Sequence, residues 1–90
     1  MSPQTLQVLQ TFIEDPKVWR YGYDLSRETE LKAGTLYPVL RRLNQCSFLE
    51  TQWVKGDRGR PPRHMYRLTA EGLTFTKKRL ADIRREKGCA

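Results

Sequence analysis

Ala33-Gly34-Thr35-Leu36-Tyr37-Pro38-Val39-Leu40-Arg41-Arg42-Leu43-Asn44-Gln45 is the stretch on which the reading of this chain turns. Leu36, Val39, Leu40 and Leu43 recur at the three- and four-residue spacing of a helix with one apolar side. At roughly 100° per residue, the opposite side carries Gly34, Pro38, Arg41 and Gln45, with Thr35, Tyr37 and Arg42 on the flanks. The spacing predicts a helix that begins between Ala33 and Thr35 and ends near Gln45. Its underside is apolar and its top polar and cationic. Pro38 fits only within the first turn or two, so a slightly irregular helix start is expected.

Upstream, Tyr23-Asp24-Leu25-Ser26-Arg27-Glu28-Thr29 reads as a short helix, joined to the next by a brief turn at Glu30-Leu31-Lys32. Before it, Ser2 and Pro3 form a good helix opening, a cap followed by a ring already shaped for the first turn. Leu6, Val8, Leu9, Phe12 and Ile13 give that first helix its apolar side, and Pro16 stops it near Glu14-Asp15. Trp19 to Gly22 is read as irregular chain, with Trp19, Tyr21 and Tyr23 as packing aromatics.

Downstream, Phe48 to Val54 alternates Leu49, Thr51 and Trp53, the period of a strand, with Trp53 expected in the core. His64 to Thr69 is a second strand with Tyr66 and Leu68 on one face. The segment 55–63 between them holds two Gly, two Pro and four basic residues, the composition of a charged hairpin loop. Thr69 is placed to cap a last helix from Ala70 to about Lys87, whose seam is Leu73, Thr76, Leu80 and Ile83. Phe75 points nearly the other way, so this helix is expected to bury two faces, the second against another copy of the chain.

The expected fold is therefore mainly α with a small β-hairpin, an α+β winged helix-turn-helix over residues 1–69 with a C-terminal dimerisation helix over 70–90. Ninety residues suit one core. No apolar run is long enough to span a bilayer, and Met1-Ser2-Pro3-Gln4 lacks the pattern of a secretory signal, so a cytoplasmic location is expected. Cys46 and Cys89 make no disulfide framework, and Cys46 is read as a small hydrophobe. With His64 the only histidine, neither a metal nor any other cofactor is expected.

Charge supplies the first functional constraint. The net value is +7, but residues 1–30 carry −2 and residues 31–90 carry +9. A one-sided field of this kind draws polyanions, and eleven of the seventeen cations are Arg, whose planar fork matches phosphates and guanine edges. In a winged helix-turn-helix the second helix of the pair enters the major groove of double-stranded DNA, and a basic hairpin reaches the backbone or the minor groove. On that plan Arg41, Tyr37 and Arg42 are candidate contacts from the helix, and Arg58, Arg60 and Arg63 from the hairpin. Lys32 and Thr35, at the helix start, suit capping and DNA contact equally. Leu73, Phe75, Leu80 and Ile83 are the candidate dimerisation residues.

Three segments carry a more specific likeness: Tyr21-Gly22-Tyr23-Asp24-Leu25, then Leu31 to Leu43 with its Gly34-Thr35-Leu36-Tyr37-Pro38 core, then Gly59 to Gly72 with Tyr66-Arg67-Leu68-Thr69. Together they resemble the PadR family of bacterial transcriptional regulators over about residues 6 to 73. The resemblance implies an N-terminal winged helix-turn-helix, a C-terminal dimerisation helix and repression through a palindromic operator. The family pattern leaves room for a small-molecule effector, which nothing in this sequence specifies. An enzyme is disfavoured: there is one His, no phosphate-cradling glycine loop and no pair of acids flanking a site. The alternative left open is a winged-helix protein-interaction adaptor without specific DNA affinity of its own.

Overall fold

The computed structural model describes residues 2–88, with side chains through residue 84; Cys89 lies outside the described residues. The order is α1 (Pro3–Ile13), β1 (Arg20–Tyr21), α2 (Gly22–Thr29), α3 (Ala33–Gln45), β2 (Leu49–Val54), β3 (Arg63–Leu68) and α4 (Ala70–Gly88). The strands form one antiparallel sheet in the order β1-β3-β2. Four helices and this sheet make an α+β winged helix-turn-helix.

Local chemistry explains the helix starts. Ser2 Oγ accepts the Thr5 N–H at 3.2 Å, and Pro3 occupies the first helical position of α1. Thr69 Oγ1 accepts the Gly72 N–H at 2.9 Å and so caps α4, while donating to the Ser47 carbonyl at 2.6 Å. That second bond ties α4 to the chain leaving α3. A side chain at Gly72 would run into the Phe48 carbonyl oxygen, so only glycine lets the two segments approach this closely.

Val8, Leu9 and Phe12 of α1, Leu25 of α2, and Leu36, Leu40 and Leu43 of α3 are buried together. Leu49, Tyr66 and Leu68 of the hairpin close the same core. Burial of each such side chain contributes on the order of 2 kcal/mol. The turn between α2 and α3 is held from three sides. Glu30 takes the left-handed conformation (φ 61°), Ser26 Oγ donates to the Leu31 carbonyl at 2.7 Å, and Gln7 of α1 donates to the Thr29 carbonyl at 2.6 Å. These bonds satisfy backbone groups at the end of α2 and set the angle at which α3 leaves it.

Several expectations need correction. Trp19 to Gly22 is not irregular: Arg20 and Tyr21 form β1, paired with Tyr66 and Met65, and α2 begins one residue early at Gly22. A two-residue edge strand has too little periodicity to be legible in sequence. Pro38, by contrast, lies in the second turn of an unbroken α3, whose start is slightly irregular as expected: the Thr35 and Leu36 N–H groups both bond to the Lys32 carbonyl. Arg63 is the first residue of β3 rather than part of the loop.

Tyr23 is exposed rather than packed, with the Arg27 guanidinium 5.8 Å from its ring centre. Cys46 is exposed because it sits on the turn beyond α3. Trp53 is 64% exposed rather than in the core, although it shares a strand face with Leu49 and Thr51. Phe75 stacks its ring on Phe48 at 4.4 Å, and it and Leu73 pack partly against the chain's own core while staying half-exposed. Leu80 and Ile83 are half-buried and lie outside that buried cluster.

Candidate nucleic-acid interface

The apolar side of α3 is pressed into the core through Leu36, Leu40 and Leu43, so its remaining positions are turned outward. Lys32, Thr35, Tyr37, Arg41 and Arg42 are all exposed. Lys32 occupies the N-cap without a side-chain capping bond, and Thr35 lies inside the helix, so neither side chain caps α3. Capping, one of the two roles open to them, is thereby excluded.

β2 and β3 continue beyond the core as a wing. At its tip, Arg58 and Gly59 both take positive φ (52° and 80°), and the Arg60 N–H bonds to the Asp57 carbonyl at 3.0 Å. This tight turn leaves Arg58, Arg60 and Arg63 exposed. A side chain at Gly56 would meet the Arg60 backbone, which is why the returning arm of the loop can lie against the outgoing one.

Between α3 and the wing lies a groove of about 1030 Å³. Tyr37, Arg41 and Asn44 form one wall, and Trp53, Arg63 and His64 the other. The N-terminus of α2, from Gly22 to Asp24, closes one side. The helix and the wing thus present arginines to a common space rather than to opposed surfaces. Tyr37, Arg41 and Arg63 are brought together here, whereas Arg58 and Arg60 stand out at the wing tip, and Lys32, Thr35 and Arg42 lie along α3 outside the groove lining.

Supporting contacts orient these groups. The Tyr37 hydroxyl lies so close to Gly22 that an added Cβ would sit 2.5 Å from it. Arg63 lies with its guanidinium 5.5 Å from the Tyr21 ring centre. Farther along the face it shares with Arg63, Arg67 pairs with Glu50 and covers the Trp19 ring at 4.3 Å, so this arginine is engaged within the fold. Burial holds the His64 imidazole below its ordinary pKa. Burial, together with the Tyr37 phenol nearby, raises that of Tyr66. The hydroxyl of Tyr66 and Nδ1 of His64 share a hydrogen bond of 3.0 Å. Among the described residues no three His, Cys, Asp or Glu side chains gather as metal ligands, and no helix is long and apolar enough to cross a membrane.

Sequence reasoning missed Gly22, Asn44 and Trp53 as parts of this groove. Gly22 carried a signal within the Tyr-Gly-Tyr segment; Trp53 was masked by its alternation with core residues.

An outward-facing second helix beside a basic two-stranded wing defines a winged helix-turn-helix protein. Residues 18–78 match the transcriptional regulator PadR-like family, and the chain belongs to that family. Among solved structures, a PadR-like transcription factor from Bacteroides fragilis is similar at 27% identity and TM-score 0.81, over 93% of this chain and 82% of that one. A PadR family transcriptional regulator from Eggerthella lenta is 30% identical with TM-score 0.79, over 90% of this chain and 74% of that one. The fold is also shared with Bacillus subtilis PadR, solved in complex with operator DNA, at 20% identity and TM-score 0.77, over 89% of this chain and 48% of that one. No curated protein matches the chain.

Proposed function

We propose that this regulator binds double-stranded DNA sequence-specifically as a homodimer and represses transcription by occupying a palindromic operator. The observation that carries the reading is the single groove whose two walls are α3, with Tyr37 and Arg41, and the wing, with Arg63. α3 would enter the major groove, and Arg58 and Arg60 at the wing tip would reach the flanking backbone or minor groove. Lys32, Thr35 and Arg42, exposed along α3, extend the same surface. The net charge of +7 supplies the attraction. The family relation and the fold shared with an operator-bound relative support the same reading.

On this reading residues 1–69 form the DNA-binding body, and α4 from residue 70 onward joins two copies. Leu73, Phe75, Leu80 and Ile83, all half-buried in the single chain, would make the interface, with Leu80 and Ile83 lying outside the chain's own core cluster. A two-fold dimer would present two α3 helices to symmetric half-sites about one helical turn apart.

The deciding experiment is selection of bound duplexes from a random pool, followed by titration of the selected duplex and a scrambled one. Tighter binding of a palindrome is expected, with a log–log salt slope on the order of −7 if about eight phosphates are neutralised. Arg60→Ala should weaken all duplexes alike and flatten the slope by about 1, whereas Arg41→Ala should weaken binding and relax sequence preference. Leu80→Asp should convert a dimer to a monomer in light scattering. Equal affinity for selected and scrambled duplexes would leave a protein-interaction adaptor as the better account.

A further inference from the structure

The DNA-binding reading accounts for the arginines of the groove but not for the tryptophan among them. Trp53 is 64% exposed, on a strand face that runs from the buried Leu49 through the half-buried Thr51. Its ring lies 4.3 Å from that of His64, almost parallel at 9°, and His64 leans in turn on Tyr66 at 4.5 Å. Tyr66 is buried in the core and bonds His64 through its hydroxyl. A ladder of three rings therefore runs from the core out along one sheet face, and its last rung lines the groove opposite Tyr37 and Arg41. One side of the indole is backed by the imidazole, and the rest of the ring remains open.

We infer that Trp53, backed by His64, is a platform on which a deoxyribose of the DNA backbone packs. This rests on the DNA-binding reading above. A duplex that takes α3 into its major groove and the wing tip at the adjacent minor groove must pass one sugar–phosphate strand between them. That space is the groove described here. Its charge is suited to that strand, with Arg41 on one wall and Arg63 on the other to meet phosphates. Between two phosphates the backbone offers the apolar C–H face of a sugar, which matches a flat aromatic surface and not a guanidinium. The stack fixes the indole beforehand, so contact requires little further ordering of the side chain. A backbone contact of this kind positions the protein without reading sequence. Trp53 sits before the loop rather than at the wing tip, where an intercalating ring would have to be.

Tryptophan occurs twice in the chain, so Trp19→Phe leaves Trp53 as the only indole reporter. Circular dichroism would verify that this variant folds. Its emission should shift to the blue and lose intensity when a selected duplex is added, and likewise with a mixed-sequence duplex. Binding of labelled duplexes, read by anisotropy, should weaken about fivefold to tenfold in Trp53→Ala, the lower end of aromatic packing on nucleic acid. The loss should be equal for both duplexes and leave the salt slope unchanged, and Trp53→Phe should restore most of it. If Trp53→Ala binds like the parent and the emission does not move, while Arg41→Ala and Arg63→Ala weaken binding, the platform is overturned and the DNA-binding reading stands. A loss confined to the selected duplex would make Trp53 a base reader and overturn the backbone assignment. If the parent chain binds neither duplex, both readings fall together.

Discussion

The two halves of the β-hairpin share strands, register and side-chain alternation, yet live in different surroundings. Near the body, Leu49 faces Leu68 and Thr51 faces Tyr66, and three of these four are buried. Toward the tip, Trp53 faces His64 and Val54 faces Arg63, and neither Trp53 nor Arg63 is covered. The pleat dictates which residues share a face; it says nothing about where along the strand the core stops. One ladder can therefore be anchored in the interior at one end and presented to a ligand at the other. At the wing, the Trp53 ring is backed by His64 and, through it, by Tyr66 of the core.

Substitution should separate the two halves, beginning with the anchored one. Leu49→Ala removes a fully buried side chain and is expected to cost about 3 kcal/mol in urea unfolding, against about 0.5 kcal/mol or less for Trp53→Ala. Comparable losses would mean the wing is part of the cooperative core and would break the distinction.

The joint between hairpin and α4 comes next. Thr69→Ala deletes both the cap of α4 and the bond to the Ser47 carbonyl, and should lower stability by about 1 to 2 kcal/mol. Thr69→Ser, which retains the hydroxyl, should recover most of that in the same denaturation assay.

A subtler perturbation lies across the groove. Gly22→Ala places a methyl group against the Tyr37 hydroxyl and must displace that ring. Because the displaced atoms end a flexible side chain, stability should change by only about 1 kcal/mol. Duplex affinity should fall more than in Tyr37→Phe, since the ring itself is moved. A variant that binds DNA as the parent does would show that the position of Tyr37 is immaterial to recognition.

The smallest effect is one of pH. His64 is held neutral by burial, with a pKa below its unfolded value, so the folded state takes up a proton less readily than the unfolded one. Stability from this source is complete above the unfolded pKa of about 6.5 and declines as pH falls through it. The melting temperature should drop slightly on acidification, and His64→Phe should flatten that dependence. A parent curve no steeper than that of His64→Phe would mean burial at the wing base is too shallow to matter.

Much of this architecture could be read from the chain before folding. Leu36, Leu40 and Leu43 at helical spacing identified the buried side of α3, which by elimination exposed Tyr37 and Arg41. Gly, Pro and Arg in the segment 55–63 marked the basic hairpin. The illegible parts share a cause. β1 exists only because β3 offers it an edge. Trp53 obeys the same alternation as Leu49 but outruns the body. Phe75 faces away from the seam of α4, yet meets Phe48 because the turn after α3 brings that ring alongside.

The sequence by itself determined the periodicities, caps and turns, and with them which side of α3 is cationic, because these depend on neighbours within a few residues. Whether the α3 surface and the wing would share one groove, where the hairpin leaves the interior, and whether Gly22 lies under Tyr37 were decided only in three dimensions. Those outcomes depend on the angle at which α3 leaves the Glu30 turn and on how far the strands extend past Tyr66, and both are set by contacts between residues distant in the chain.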